Sequence, residues 1–226
     1  MKRVALVTGG NRGLGLAACQ ELLKRDYEVV LTARDETKGK KLASELGVHF
    51  LALDVSSPQS IDRVGPYLTH EFGRLDVLIN NAGILPERGS AFDAKWEDFK
   101  LTVETNTYAP FLLCQKLVSL MKKNKYGRIV NVSSGMGQLK EMGGNYISYR
   151  VSKTALNAIT KVFAEETRGT NILINSVCPG WVQTDMGGKE AARTLEQGVA
   201  GIIWAATLPD DGPTGGFYRD GKPLEW

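Results

Sequence analysis

Short apolar runs alternate with longer segments of helical periodicity along almost the whole chain. The apolar runs predict buried strands over residues 4–7, 28–32, 48–53, 75–79, 128–132 and 171–177, with a short last strand after residue 212. Amphipathic spacing predicts helices after residue 15, near residues 57 and 148, and over residues 36–46, 96–123 and 194–207. This alternation requires a parallel sheet with right-handed crossovers. We therefore predict an α/β fold: a single doubly wound Rossmann-type domain over residues 1–226, with about seven strands and helices on both faces.

Composition narrows the class of protein. A chain of 226 residues can bury one good core and is too short for two full domains. With 28 basic and 25 acidic residues, charge alone indicates neither nucleic-acid nor membrane binding. Three widely spaced cysteines and two histidines argue against a disulfide framework and a metal centre, and favour a reducing compartment. The apolar run at the N-terminus is too short for a signal peptide, so we expect a cytoplasmic protein.

A glycine-rich turn follows the first strand and leads into a helix. Gly13, Gly15 and Ala18 fit the dinucleotide pattern G-x-G-x-x-A, in which glycine lets the backbone approach the phosphates. The backbone N–H groups of such a turn, together with the helix N-terminus, can hold a pyrophosphate. The sequence therefore predicts a dinucleotide site here.

The end of the second strand indicates which dinucleotide binds. An NAD-binding protein usually has an acidic residue here, which accepts hydrogen bonds from the adenosine ribose, but this chain has Ala33 followed by Arg34. Arg34, with Arg12 in the glycine-rich turn, can pair with a ribose 2′-phosphate. NADP is thus favoured over NAD, although Asp35 next door leaves the NAD alternative open.

Polar and small residues also end the third and fourth strands. Asp54 can hydrogen-bond an adenine edge, or it can cap the helix that begins near Ser57. The amide and small residues Asn81, Ala82 and Gly83 let the chain approach a flat ring while supplying hydrogen bonds.

Tyr149 and Lys153 stand four residues apart, on one face of the helix predicted near residue 148. An ammonium group near a phenol favours the phenolate, so we expect Lys153 to lower the pKa of Tyr149 and make it a proton donor for a carbonyl oxygen. Tyr146 is followed at the same spacing by Arg150, which cannot give up a proton and is the less suitable partner.

Two further sites remain open from the residues alone. Asn106 interrupts a long helical pattern, either as a solvent-facing residue or as a polar group needed near the sheet. Ser133 and Ser134 end the fifth strand, either as turn residues or as hydrogen-bond donors to a substrate oxygen.

Six motifs occur in a characteristic order and spacing: Thr8-Gly9-x-x-x-Gly13-x-Gly15, Asn80-Asn81-Ala82-Gly83, Asn106, Ser134, Tyr149-x-x-x-Lys153 and Pro179-Gly180-x-x-x-Thr184. In these motifs the chain resembles the short-chain dehydrogenase/reductase family over essentially its whole length. Its ending looks most like the carbonyl-reductase branch. One departure is the interval of fifteen residues between Ser134 and Tyr149, two more than is commonest in the family, which leaves Ser133 open as a substitute for Ser134.

The resemblance implies a role for each matching residue. Tyr149 would be the proton donor, Lys153 would lower its pKa and bind the nicotinamide ribose, Ser134 would hold the substrate oxygen, and Asn106 would anchor a water in the proton relay. Cofactor binding is expected at Gly9, Asn11, Arg12, Gly13, Leu14, Gly15, Arg34, Asp54, Val55, Asn81, Ala82, Gly83, Tyr149, Lys153, Pro179, Gly180, Val182 and Thr184.

The resemblance implies NADPH-dependent reduction of a ketone, aldehyde or quinone. An NADP-linked dehydrogenase working mainly in oxidation would use the same residues. A regulator that senses NADPH without catalysis is a third alternative, but it predicts loss of the serine, tyrosine or lysine. We expect a small carbonyl or alcohol as substrate. A homodimer or homotetramer fits the apolar helix faces, while the carbonyl-reductase branch also includes monomers.

Overall fold

Eight strands form one sheet in the computed structural model, which describes residues 2–86 and 89–226. The strands are β1 Val4–Val7, β2 Glu28–Ala33, β3 His49–Ala52, β4 Val77–Asn80, β5 Gly127–Val132, β6 Ile172–Val177, β7 Phe217–Arg219 and β8 Lys222–Pro223. Their order across the sheet is β3-β2-β1-β4-β5-β6-β7-β8. All neighbouring pairs are parallel except β7 and β8. The fold is therefore the predicted doubly wound α/β architecture.

Helices connect the strands. They are α1 Gly13–Leu23, α2 Glu36–Leu46, α3 Pro58–Asp62, α4 Val64–Glu71, α5 Trp96–Val103, α6 Ala109–Asn124, α7 Ile147–Glu166 and α8 Leu195–Ala206. A π-helical segment, Glu104–Tyr108, joins α5 to α6, and short 3₁₀ turns lie at Ala91–Asp93 and Gly135–Gly137. None of the helices in the described residues is both long and apolar enough to cross a membrane.

The apolar strands have a hydrophobic core on each face of the sheet. Along β1, Val4 and Leu6 pack on one side with residues of α3, α4, α6 and α7, and Ala5 and Val7 pack on the other side with α1 and α8. Successive side chains of a strand point to opposite faces, so a strand covered by helices on both sides must be apolar throughout. This explains why the strands are continuous apolar runs.

Four predictions about the elements need correction. The chain has an eighth strand because Asp220 and Gly221, both with positive φ, form a two-residue turn that folds β8 back on β7. The single helix predicted over residues 96–123 consists of α5, a π-helical segment and α6, because the wider π turn interrupts the regular α-helical hydrogen bonding. The helix predicted after residue 15 begins earlier, at Gly13, and the single helix predicted near residue 57 is two helices, α3 and α4. The predicted bounds of β1 to β6, α2 and α8 differ from the structure by at most two residues.

The order of the strands determines where a ligand can bind. β2 and β3 lie on one side of β1, and the chain then crosses over so that β4 lies on the other side. The strand order therefore reverses between β1 and β4. The carboxyl ends of β1, β2, β4, β5 and β6 lie on the same edge of the sheet, and the crevice at such a reversal is where doubly wound sheets bind ligands. The predicted site residues follow these strand ends.

Candidate active site

A network of hydrogen bonds joins the glycine-rich turn after β1 to the end of β4. The Thr8 hydroxyl accepts hydrogen bonds from the backbone N–H groups of Asn81 (2.9 Å) and Ala82 (3.0 Å). The Asn81 side chain donates in return to the backbone oxygen atoms of Thr8 (2.9 Å) and Gly9 (3.3 Å). The backbone of the turn is thus held in place by the strand beside it.

Two glycines are required by close contacts in this turn. Gly9 has a φ of +62°, and a Cβ there would lie 3.2 Å from the Ala82 Cα. A Cβ on Gly15 would lie 2.2 Å from the Gly9 carbonyl oxygen. Gly15 packs within the turn, and its predicted contact with the cofactor stays a prediction.

A cavity of about 1050 Å³ extends along the carboxyl edge of the sheet. Of the predicted site residues, only Gly15 and Asn106 do not line it. The predicted residues that line it are Gly9, Asn11, Arg12, Gly13, Leu14, Arg34, Asp54, Val55, Asn81, Ala82, Gly83, Ser134, Tyr149, Lys153, Pro179, Gly180, Val182 and Thr184. The structure therefore brings residues from seven separate segments of the chain to one site.

Beside the end of β2, the cavity is lined by Arg34. The acidic residue that follows it, Asp35, is used elsewhere. Arg34 is exposed and lines the cavity. Asp35 caps α2 by accepting a hydrogen bond from the Lys38 backbone N–H (3.0 Å) and also pairs with the Lys38 ammonium (3.2 Å). Arg12 forms an ion pair with Asp185 (2.8 Å). The charged group that β2 presents to the cavity is thus positive, which suits a phosphate.

Asp54 lies at the end of β3, and the two alternatives for it are now separable. Its Oδ1 accepts hydrogen bonds from the Ser56 backbone N–H (3.0 Å) and hydroxyl (2.7 Å). The cap of α3 is Ser57, whose side chain accepts from the Ser60 N–H. The helix-capping alternative for Asp54 is therefore wrong, and its contact with adenine stays a prediction.

Asn106 is buried in the π-helical segment and stabilises a neighbouring loop. Its Oδ1 accepts a hydrogen bond from the Ile84 N–H (2.9 Å), and its Nδ2 donates to the Ile84 carbonyl (2.9 Å) and the Ser152 hydroxyl (3.1 Å). These bonds hold the backbone that follows Gly83. Of the two alternatives, Asn106 is the polar group needed near the sheet, and its water-binding role stays a prediction.

The three candidate catalytic side chains meet where β5 ends and α7 begins. Tyr149 and Lys153 occupy the first two turns of α7 and are buried. The Lys153 Nζ lies 5.6 Å from the centre of the Tyr149 ring and donates a hydrogen bond to the Val132 carbonyl (2.8 Å). The Ser134 hydroxyl interacts with the Tyr149 phenol, whereas the Ser133 hydroxyl donates to the Lys153 backbone carbonyl (3.4 Å).

Burial has the largest effect on the pKa values of Tyr149 and Lys153. It raises the pKa of the Tyr149 phenol to about 12, and the hydrogen bond with Ser134 opposes the increase. Burial lowers the pKa of the Lys153 ammonium to about 8. The prediction that Lys153 brings the pKa of Tyr149 down is therefore wrong in this structure, because loss of hydration disfavours both charged forms. At neutral pH the phenol remains protonated and can donate a proton.

Sequence reasoning missed two cavity residues beside this cluster. Cys178 follows β6, and its Sγ accepts hydrogen bonds from the Gly135 backbone N–H (3.1 Å) and from Nη2 of Arg219 (3.1 Å). Arg219 ends β7 and reaches the same part of the cavity. Both residues follow the rule that strand ends carry the site, which would have found them had it been applied to the last two parallel strands.

The C-terminal segment packs beside the site on its own chain. Trp226 stacks on Phe217 of β7, with ring centres 5.7 Å apart. The Gln138 side chain donates to the Glu225 carbonyl (2.8 Å), and Lys140 forms an ion pair with Glu225. These contacts attach the C-terminus to the segment that follows Ser134.

A dinucleotide-sized cavity at the strand reversal, with a serine, a tyrosine and a lysine at one end, defines a nucleotide-dependent oxidoreductase. A sequence model of the short chain dehydrogenase family matches residues 3–194. The chain belongs to this family.

Named relatives place the chain near one branch of the family. It is 34% identical to carbonyl reductase (NADPH) 3 of Rattus norvegicus, an alignment that covers 99% of this chain and 98% of the relative. The carbonyl reductase Sniffer of D. melanogaster has a similar structure, with a TM-score of 0.90, 30% identity and full coverage of both chains. An NADPH-bound carbonyl reductase from chicken fatty liver also has a TM-score of 0.90, with 32% identity and coverage of 100% and 94%.

Proposed function

We propose that this protein reduces a ketone, aldehyde or quinone to an alcohol with NADPH, and that Tyr149 supplies the proton. The observation that carries the proposal is the cluster of the half-buried Ser134 with the buried Tyr149 and Lys153 in the wall of the cavity. Carbonyl reductases similar to this chain are named for NADPH, which supports the same chemistry.

NADP(H) is the cofactor, and the cavity residues fit it. Gly9 has a φ of +62°, which favours glycine, and the absence of a side chain there lets the backbone approach a phosphate. We assign Arg34, which lines the cavity, to the 2′-phosphate, and the use of Asp35 as the cap of α2 supports this assignment over a ribose contact of NAD. When bound, the reduced nicotinamide supplies a hydride to the carbonyl carbon.

The chain's own residues manage the charge that forms on the carbonyl oxygen. In the proposed reaction Ser134 donates a hydrogen bond to that oxygen, and Tyr149 transfers its phenolic proton to it, which completes the alcohol. Lys153 has a pKa of about 8, so it is largely protonated at neutral pH and stabilises the negative charge that forms on the phenol as the proton leaves. These interactions strengthen as the reaction proceeds, so they favour the transition state over the bound substrate.

Burial raises the pKa of Tyr149 to about 12, so the phenol carries its proton at neutral pH, which is the form that reduction of a carbonyl needs. Oxidation of an alcohol would use the same residues in reverse, so kinetics and the cellular ratio of NADPH to NADP separate the two directions. The contacts of the two serines support Ser134 rather than Ser133 as the substrate-binding hydroxyl, since Ser134 is the one that interacts with Tyr149.

The test is oxidation of NADPH, followed by its absorbance, with a panel of aldehydes, ketones, dicarbonyls and quinones. Tyr149→Phe should lower kcat by about 100- to 10,000-fold, the usual contribution of general acid catalysis. Tyr146→Phe is the matched control, because Tyr146 also lines the cavity but is followed by Arg150 instead of a lysine. Tight NADPH binding without any reduction or alcohol oxidation would replace the enzyme proposal with the sensor alternative.

We also propose that residues 1–226 act as one NADP-binding domain in the cytoplasm. All strands of the described residues join one sheet, which supports a single folding unit. The three cysteines are buried and free, a state that suits a reducing compartment.

A further inference from the structure

Arginine side chains line the cavity at four positions in the described part of the chain: Arg12, Arg34, Arg193 and Arg219. Arg12 is paired with Asp185 at 2.8 Å. Arg193 is paired with Asp220 through two hydrogen bonds, of 2.6 and 3.0 Å. Arg34 lies at the adenosine end, where we assign it to the cofactor. The fourth arginine, Arg219, has no acidic partner among the described residues.

The surroundings of Arg219 do not neutralise it. Its Nη2 donates to the Cys178 sulfur at 3.1 Å, and sulfur is a weak acceptor. Its Nε is buried and has no hydrogen-bond partner. No carboxylate within residues 2–86 and 89–226 forms an ion pair with it. An uncompensated guanidinium at the wall of a cavity attracts an anion.

Arg219 lies at the substrate end of the cavity. A Cβ on Gly135, the residue after Ser134, would be 2.9 Å from the Arg219 Nη2. The guanidinium is therefore next to the serine that we assign to the carbonyl oxygen. An anionic group bound there belongs to the carbonyl substrate and lies within a few atoms of the reacting carbon.

The local fold holds Arg219 in this place. It is the last residue of β7 and pairs with Lys222 of β8 across the turn formed by Asp220 and Gly221. Asp220, the nearest acidic residue in sequence, is committed to Arg193. The hairpin thus directs one arginine into the cavity and uses the neighbouring carboxylate elsewhere.

We propose that the preferred substrates are carbonyl compounds that carry a carboxylate on an apolar body, with Arg219 as the residue that binds the carboxylate. The inference rests on the reductase function proposed above. Guanidinium and carboxylate match as a two-pronged pair, and the cavity wall is otherwise rich in apolar side chains. The apolar lining includes Leu85, Leu101, Met136, Trp181 and Met186.

The experiment compares matched acids and esters as substrates of the full chain with NADPH. The pairs are benzoylformate with its methyl ester, and para-carboxybenzaldehyde with its methyl ester. For at least one pair, wild type should have the higher kcat/KM for the acid. The ratio of kcat/KM for acid over ester should fall about ten- to a hundredfold in Arg219→Gln, the usual effect of losing a charged hydrogen bond. Arg219→Lys, which keeps the charge, should retain part of the ratio.

Arg193→Gln is the matched control, because it removes a cavity arginine whose charge is already neutralised, and it should keep the acid-over-ester ratio of wild type. NADPH titration shows that each variant is folded. Competitive inhibition by benzoate, compared with benzamide, measures the same preference without turnover and should weaken in Arg219→Gln. An unchanged ratio in Arg219→Gln, or a wild type that prefers the ester in both pairs, overturns the substrate class while leaving the reductase intact. If wild type reduces no member of either pair and no other carbonyl, the proposed reductase function itself is overturned.

Discussion

Selection between NADPH and NADH depends on two adjacent side chains with different surroundings. Arg34 is exposed at the cavity, whereas the Asp35 carboxylate is used by the first turn of α2. Arg34→Ala should therefore weaken use of NADPH and leave NADH almost unaffected. We expect kcat/KM for NADPH to fall by roughly 30-fold, equivalent to about 2 kcal/mol for a charged hydrogen bond. Steady-state kinetics with each nucleotide measures the change.

Arg25→Ala is the matched control for this experiment. Arg25 is also an arginine near the glycine-rich turn in sequence, but it follows α1 and pairs with Glu21 away from the cavity. Its loss should change neither nucleotide preference. Equal losses for NADPH and NADH in Arg34→Ala would mean that the residue does not read the 2′-phosphate.

The sequence predicted the position of Tyr149 but not the direction of its pKa shift. The four-residue interval correctly predicted that Tyr149 and Lys153 lie close together on one helix, since helical spacing is a local property. The direction of the pKa shift was wrong because it depends on burial by β5 and the following turn, which are distant in sequence. The closeness of the two side chains could be predicted from the sequence, whereas the burial that removes water from them could not.

At the scale of elements, one glycine of the turn between β1 and α1, Gly15, is needed for space rather than for backbone conformation. Gly15→Ala should improve helix propensity by at most about 1 kcal/mol, but its Cβ would collide with the Gly9 carbonyl. Overpacking of this kind costs about 1–3 kcal/mol, so the collision should prevail. We expect a lower free energy of unfolding and at least tenfold weaker NADPH binding, measured by urea unfolding and fluorescence titration.

Gly65→Ala provides the comparison, because Gly65 lies in α4 and its nearest contact would be Leu117 at 3.8 Å, an ordinary distance. This variant should keep wild-type NADPH binding and be as stable as wild type or more so. If Gly15→Ala matched Gly65→Ala in both measurements, the close packing inferred for the turn would be incorrect.

Elements defined by local chemistry were predicted well, and those defined by tertiary contacts were not. The glycine pattern placed the first turn correctly. The π-helical segment was not predicted. Its Asn106 pairs with the backbone of Ile84, which is distant in sequence, so this contact has no local signal. The β7–β8 hairpin did have a local signal, Asp220-Gly221, which is typical of a two-residue turn. That signal was overlooked, so Arg219 was missed as a site residue.

At the scale of the whole molecule, the outer face of α6 and α7 carries apolar side chains that are exposed in the described chain. Tyr108 and Phe111 near the start of α6, and Val151 and Val162 on α7, are apolar and exposed, the last with 59% of its surface accessible. Tyr108 and Phe111, with Leu112 and Ile159, line a shallow apolar hollow between the two helices. Clustered apolar exposure of this kind marks a protein interface, and the two-fold packing of a face on itself is the simplest way to cover it.

We therefore propose a homodimer that packs through the outer face of α6 and α7. Light scattering after size-exclusion chromatography should give twice the mass of one chain for wild type. Val162→Glu should give the mass of a single chain, because two carboxylates would be buried near each other at a symmetric interface. Thr37→Glu, an equally exposed change on α2, should remain dimeric. A single-chain mass for wild type at micromolar concentration contradicts the dimer, and a dimeric Val162→Glu places the interface on another face.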